Sequence, residues 1–365
     1  MSSIVDSKSK RESNIELYRV ILMLLIIAHH YVFNSGILYH VLSDPRGYTP
    51  LFVLIFGAWG KVGINCFILI TGFFMCKKSV SLKKYARLLA EVYFYNIIIY
   101  LIMGFAGYED FSVVRVLELL TFSSPESGRF VNSFLLFYLF IPFINILINN
   151  IDKNKHFLLI MVCLFIYTIR GTIPGLEIVI NYISWFIIIY FIGSYLRIYR
   201  DTLPDIFGRK AYIGVIITFL ISIVSIYLGY VYFLHTRISD LYYYFVIDSN
   251  KLLAVMLAVF LFCMFLNIKI PYNKFINAMG RSTFGVLLIH ANSDAMRTWL
   301  WGFIDPIRAY DEGVLAINAV ISVLLIFVCT TIIDLGRYHC IEKPIFSLLD
   351  KKIDLVEKRI LVKIK

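Results

Sequence analysis

The sequence predicts an all-α polytopic membrane protein, a bundle of about ten transmembrane helices with both termini in the cytoplasm. Three observations predict it. Of 365 residues, 60% are hydrophobic and only 16% charged, with a mean hydropathy of +0.79, which is too apolar for an ordinary soluble domain. Apolar runs of membrane length recur from Ile15 to Arg337 with no polar stretch large enough for a second domain. The basic residues behind the net charge of +11 gather in alternate connections. That is the positive-inside pattern, not a nucleic-acid-binding face. Residues 1–13 are expected to be a cytoplasmic tail, 14–346 the membrane domain, and 347–365 a basic cytoplasmic tail.

The first segment runs from about Ile15 to Phe33 and ends at the turn residues Asn34, Ser35 and Gly36. Leu51 to Met75 is too long for one upright helix, so a short interfacial piece is expected before a membrane helix from about Gly57 to Cys76. Lys77, Lys78, Lys83, Lys84 and Arg87 form the densest basic connection and set the orientation, inside. Leu88 to Phe105 follows, then an outer loop with Glu109, Asp110, Glu118 and Glu126, in which Val113 to Leu120 reads as an amphipathic surface helix. Phe130 to Ile148 contains Pro142, which should kink it. The remaining candidates are Phe157–Ile169, Ile178–Leu196, Tyr212–Leu234, Leu252–Leu266, Thr283–Trp301 and Ala316–Ile333, with Ile268 to Arg281 expected as a basic inside loop.

The first segment carries the chemistry. At 100° and about 1.5 Å per residue, the eleven steps from Arg19 to His30 leave the two within roughly 20° of one face and about 16 Å apart. Glu16 falls near that stripe, whereas His29 is rotated by about 80° and faces another neighbour. A buried arginine costs at least about 2.5 kcal/mol on insertion scales and asks for a partner or a wet cavity. Taken alone, Arg19 is equally explained by snorkelling to the interface, and the histidines by hydrogen bonds to neighbouring helices. Their shared face favours a site in which an elongated anion lies along the stripe with its reactive end at His30.

Other polar groups stand in apolar context. Lys84 and Arg87, three residues apart, suit a phosphate, although topology alone also explains them. Asn65 and Thr71 offer polar groups within the second segment. His290 falls at a depth similar to His30, and Glu342 near the last segment is either a partner for an arginine or an ordinary tail charge. Six cysteines without a CxxC pair indicate neither a disulfide framework nor a metal site. No phosphate-binding or dinucleotide glycine loop and no nucleophile elbow occurs.

Together these residues resemble the acyltransferase family 3 membrane proteins, bacterial enzymes that O-acylate surface polysaccharides and other acceptors. The likeness extends from about Asn14 to Phe346. It rests on Arg19 and His30 with ten residues between them, Lys84-x-x-Arg87 in place of a double arginine, Thr71-Gly72-Phe73, the stretch Ser282 to His290, and Glu342-Lys343-Pro344. The resemblance implies His30 as the catalytic residue and Arg19, Lys84 and Arg87 as donor-binding, with Glu16, His29, Asn65, Thr71, His290 and Glu342 in support. It implies acetyl-CoA or another acyl-CoA as co-substrate with no bound cofactor, a polysaccharide or lipid-linked glycan as acceptor, and a place in the bacterial plasma membrane. A glycan-lipid flippase, which would also place buried Arg, Glu and His along a path, is the alternative; a polysaccharide polymerase is another, and would need acceptor-binding arginines in a large outer loop, where the Gly107–Arg129 loop has only Arg115 and Arg129.

Overall fold

The computed structural model describes residues 11–78, 81–121, 129–176, 178–238, 241–350 and 353, and among them it is helical with no strand. Expectations placed on residues 1–10, on Glu126 and on most of 347–365 lie outside the described residues. The helices are α1 (Ser13–Asn34), α2 (Ile37–Ser43), α3 (Thr49–Gly57), α4 (Gly60–Met75), α5 (Leu82–Phe105), α6 (Val113–Thr121), α7 (Arg129–Asn149) and α8 (Lys153–Leu164). They continue as α9 (Arg170–Thr172), α10 (Tyr182–Ile198), α11 (Pro204–Phe207), α12 (Arg209–Thr236), α13 (Leu252–Asn267), α14 (Lys274–His290), α15 (Asp294–Ile304), α16 (Pro306–Asp311) and α17 (Leu315–Arg337).

Among the described residues, seven segments are long and apolar enough to cross a membrane: Ser13–Asn34, Thr49–Met75, Leu82–Phe105, Phe130–Asn149, Lys153–Thr172, Arg209–Thr236 and Leu315–Asp350. α10 and α13 are apolar but shorter, with 17 and 16 residues. α14 carries Asn277, Arg281 and Ser282 within its 17 residues. Ten crossings therefore do not follow from length and composition alone.

Local signals set the boundaries. The Leu51–Met75 run breaks into α3 and α4 at Ala58 and Trp59, and α6 forms where the amphipathic pattern falls. Asp152 caps α8 by accepting from the Lys155 amide at 2.9 Å. That amide also holds the Asp152 carboxyl below its ordinary range.

Two expectations are corrected at α14 and α15. The segment Thr283–Trp301 is not one helix: it stops at His290, and α15 starts afresh with the Ser293 hydroxyl accepting from the Met296 amide at 3.1 Å. The break falls on the polar run Ala291-Asn292-Ser293-Asp294, whose cap signal the apolar stretches on either side outweigh in a hydropathy average. Residues 274–281 are not loop but the first two turns of α14, capped by Asn273, whose side chain accepts from the Phe275 and Ile276 amides at 2.9 and 3.0 Å.

α1 lies at the centre, packed on α4, α14 and α17, with Tyr18, Leu22, Ile27 and Val32 fully buried. α4 and α10 meet at Gly72 and Gly193. A Cβ on Gly72 would lie 2.7 Å from the Tyr190 carbonyl oxygen, and one on Gly193 would lie 2.6 Å from that of Leu69. Only glycine permits that approach. α12 is the outlying helix, with 22% of its apolar window buried.

Candidate active site

A cavity of about 1090 Å³ runs beside α1. At one end it is lined by cations: Arg19 from α1, Lys84 and Arg87 from the first turns of α5, and Arg281 from α14. Met23, Ile26, Phe67, Phe134 and Leu287 form an apolar belt, and beyond it lie His29, His30, Lys61, Tyr182, Asn292 and Arg297. The helical rise puts Arg19 and His30 about 16 Å apart on this wall.

The cations differ in their engagement. Arg87 Nη2 donates to both Asp350 oxygens at 3.0 Å, and Lys83 Nζ sits 2.8 Å from the same carboxylate. Arg281 lies over the Tyr338 ring, 4.6 Å from its centre. Among the described residues neither Arg19, Lys84 nor Arg281 forms a salt bridge, although the Glu16 carboxylate acts on Arg19 electrostatically, and Arg19 Nε is buried with no hydrogen bond. Cations of this kind have the chemistry to receive an anion.

His30 Nδ1 lies 3.0 Å from Nε2 of His290, which is fully buried at the last turn of α14. His29 turns aside as the wheel requires: its Nδ1 donates to the Gly57 carbonyl at 2.7 Å, and its ring fills the space beside Gly60. Lys61 Nζ donates to the Tyr182 hydroxyl at 2.9 Å. Asn292 donates to Asn96 Oδ1 at 3.1 Å and to the Leu288 carbonyl at 2.9 Å.

Two supporting residues, Asn65 and Glu16, do not line the cavity, and a third, Thr71, lines it with its hydroxyl engaged within its own helix. Asn65 does not reach the cavity: it accepts from Trp185 Nε1 at 2.9 Å and donates to the Ser249 carbonyl at 2.7 Å, so it ties α4 to α10. Glu16 is turned to Arg11, 3.0 Å away, and against Gly280 of α14. Thr71 lines the cavity, but its hydroxyl donates to the Phe67 carbonyl at 2.9 Å.

Glu342 meets an arginine, within a cluster that sequence reasoning missed. Arg337 holds three carboxylates: Glu91 at 3.0 Å, Asp334 at 3.0 Å and Glu342 at 2.7 Å; Tyr95 donates to Asp334 at 2.9 Å. The chain after α17 forms a π turn, Tyr338–Glu342, whose wider i→i+5 spacing returns Glu342 to the Arg337 face. Asp334 fits only because Gly285 has no side chain: a Cβ there would run into its carboxylate. The signal was present, since Glu91 and Asp334 are charges inside apolar helices.

The model of an acyltransferase domain, that of acyltransferase family 3, matches residues 12–334. The chain belongs to acyltransferase family 3. No curated protein and no solved structure matches it. In this acyltransferase the matched span contains the whole cavity wall except Arg11, Arg337, Tyr338 and Glu342. Together with the apolar helices, the match makes the protein a membrane acyltransferase.

Proposed function

We propose that the protein is an acyl-CoA-dependent O-acyltransferase, specifically an O-acetyltransferase, that modifies a hydroxyl of a surface polysaccharide or its lipid-linked precursor. The observation that carries this reading is one cavity joining open cationic donors at Arg19, Lys84 and Arg281 to His30 at the far end of the same helix face. Its cationic end faces the cytoplasm, where the basic connections belong by the positive-inside rule. The phosphates of the donor rest on those cations, Arg87 adding charge from its pair with Asp350, and the pantetheine arm threads the apolar belt. The acceptor enters from the opposite side, past Lys61, Tyr182 and Asn292.

His30 acts in one of two balanced ways. As general base it takes the acceptor hydroxyl proton while the oxygen attacks the thioester carbonyl; the C–S bond breaks and the proton ends on the thiolate. As nucleophile it takes the acyl group first, releasing CoA thiol, and then passes it to the hydroxyl. In both, the charge that develops responds to the fixed dipoles and donors that line the cavity.

The test is transfer of labelled acetyl from acetyl-CoA to a cell-surface glycan fraction, in membranes holding the wild type or His30→Ala at matched abundance. Transfer that vanishes in the variant is the expected result. Undiminished transfer removes His30 from the chemistry, and glycan movement with no thioester consumption favours the flippase reading.

A further inference from the structure

The geometry points to His290 as a positioning residue that fixes the tautomer of His30, so that Nε2 of His30 stays unprotonated and faces the cavity. This rests on the reading of His30 as the reacting group.

The argument follows hydrogen-bond polarity along the chain of contacts. His290 Nδ1 lies 2.6 Å from the carbonyl oxygen of Val286, one turn back on α14. A carbonyl only accepts, so His290 Nδ1 carries a proton. His290 is completely buried, and no carboxylate among the described residues contacts it. A second proton would leave an unpaired buried cation, which is costly. His290 Nε2 is therefore a lone-pair acceptor, and His30 Nδ1, 3.0 Å away, must be the donor. One proton per neutral ring then leaves His30 Nε2 bare. That nitrogen makes no hydrogen bond to the described protein, while His30 lines the cavity.

The charged and titratable groups around His30 fit this assignment. They are His29 on its own helix, His290 from α14, Lys61 from α4 and Arg297 from α15. None is a carboxylate, so nothing there orients the ring as an aspartate does in a serine hydrolase triad. The His290 lone pair is the group left to do it. A backbone carbonyl sets the first tautomer and the side chain passes it on, in the manner of a metal-ligating histidine fixed by the bond its other nitrogen makes.

Two substitutions separate this role from simple packing. His290→Gln places an amide oxygen where Nε2 was and keeps an acceptor for His30. His290→Asn matches only the Nδ1 position and leaves His30 Nδ1 without its partner. The first readout needs no substrate: carbethoxylation of His30 by diethyl pyrocarbonate in the purified full-length protein, followed by mass spectrometry, since the reagent attacks the unprotonated nitrogen. His290→Gln should match the wild-type rate, and His290→Asn should fall by about fivefold, the population that one lost hydrogen bond releases. The second readout is acyl transfer, in which His290→Asn should lower kcat by at least about tenfold with the KM for acetyl-CoA unchanged, and His290→Gln should restore it. Equal behaviour of the two variants in carbethoxylation, or faster reaction of His290→Asn, overturns the assignment. If the wild type transfers no acetyl, the donor reading fails, and the carbethoxylation rates still decide the tautomer.

Discussion

A charge inside an apolar helix is retained only where something offsets its cost, and the cavity separates the charges of this chain by what offsets them. Arg337 is satisfied by Glu91, Asp334 and Glu342, whereas Arg19, Lys84 and Arg281 point open donors into the cavity. The open set should bind the donor. Arg281→Ala and Lys84→Ala are each expected to raise the KM for acyl-CoA about ten- to a hundredfold, the loss of one hydrogen bond to a charged group, with kcat little changed. Steady-state kinetics in proteoliposomes checks this; unchanged KM in both would place the donor phosphates elsewhere. Arg19 and His30 were legible in the sequence because one helix carries both and its period fixes their common face. Arg281 was not, because it sits in what reads as a basic loop. The Arg337 cluster was not either, since its members come from residue 91 and from residues 334 to 342, and only the fold brings them together.

At the scale of the element, α14 does the most with the least apolar sequence. Its cap at Asn273 starts it two turns earlier than hydrophobicity indicates, and its end at His290 delivers an imidazole to α1. Between them Gly280 and Gly285 admit two carboxylates, Glu16 from α1 and Asp334 from α17. Gly285→Ala should force Asp334 off Arg337 and Tyr95, lowering stability by about 1–3 kcal/mol as overpacking does. Thermal unfolding in detergent should show the drop, and Asp334→Ala combined with Gly285→Ala should lose less than the two separate changes add to. Element boundaries of this kind are set by one or two hydrogen bonds at a cap. A hydropathy window averages over them, which is why the α3–α4 division was foreseen from the length of its run while the break at Ala291 was not.

For the molecule as a whole, orientation is the property the basic connections predict. In a background lacking the six cysteines, Arg46→Cys, in the connection between α2 and α3, should react with an impermeant maleimide in intact cells. Lys210→Cys, at the start of α12, should react only after lysis. The reverse pattern would put the cationic end of the cavity outside and remove cytoplasmic acyl-CoA as its ligand. That cavity has a further consequence for the cell that carries it. It places charged groups on both sides of a short apolar belt within a bundle that separates two aqueous compartments, and each elementary charge crossing an energised membrane dissipates about 2.3 kcal/mol per 100 mV. On the proposed reading, Met23, Ile26, Phe67, Phe134 and Leu287, which line the cavity, would insulate the two sides as well as guide the substrate. Phe67→Ala with Phe134→Ala should turn the protein into a proton leak, visible as collapse of an imposed pH gradient in liposomes, even in a form that has lost His30.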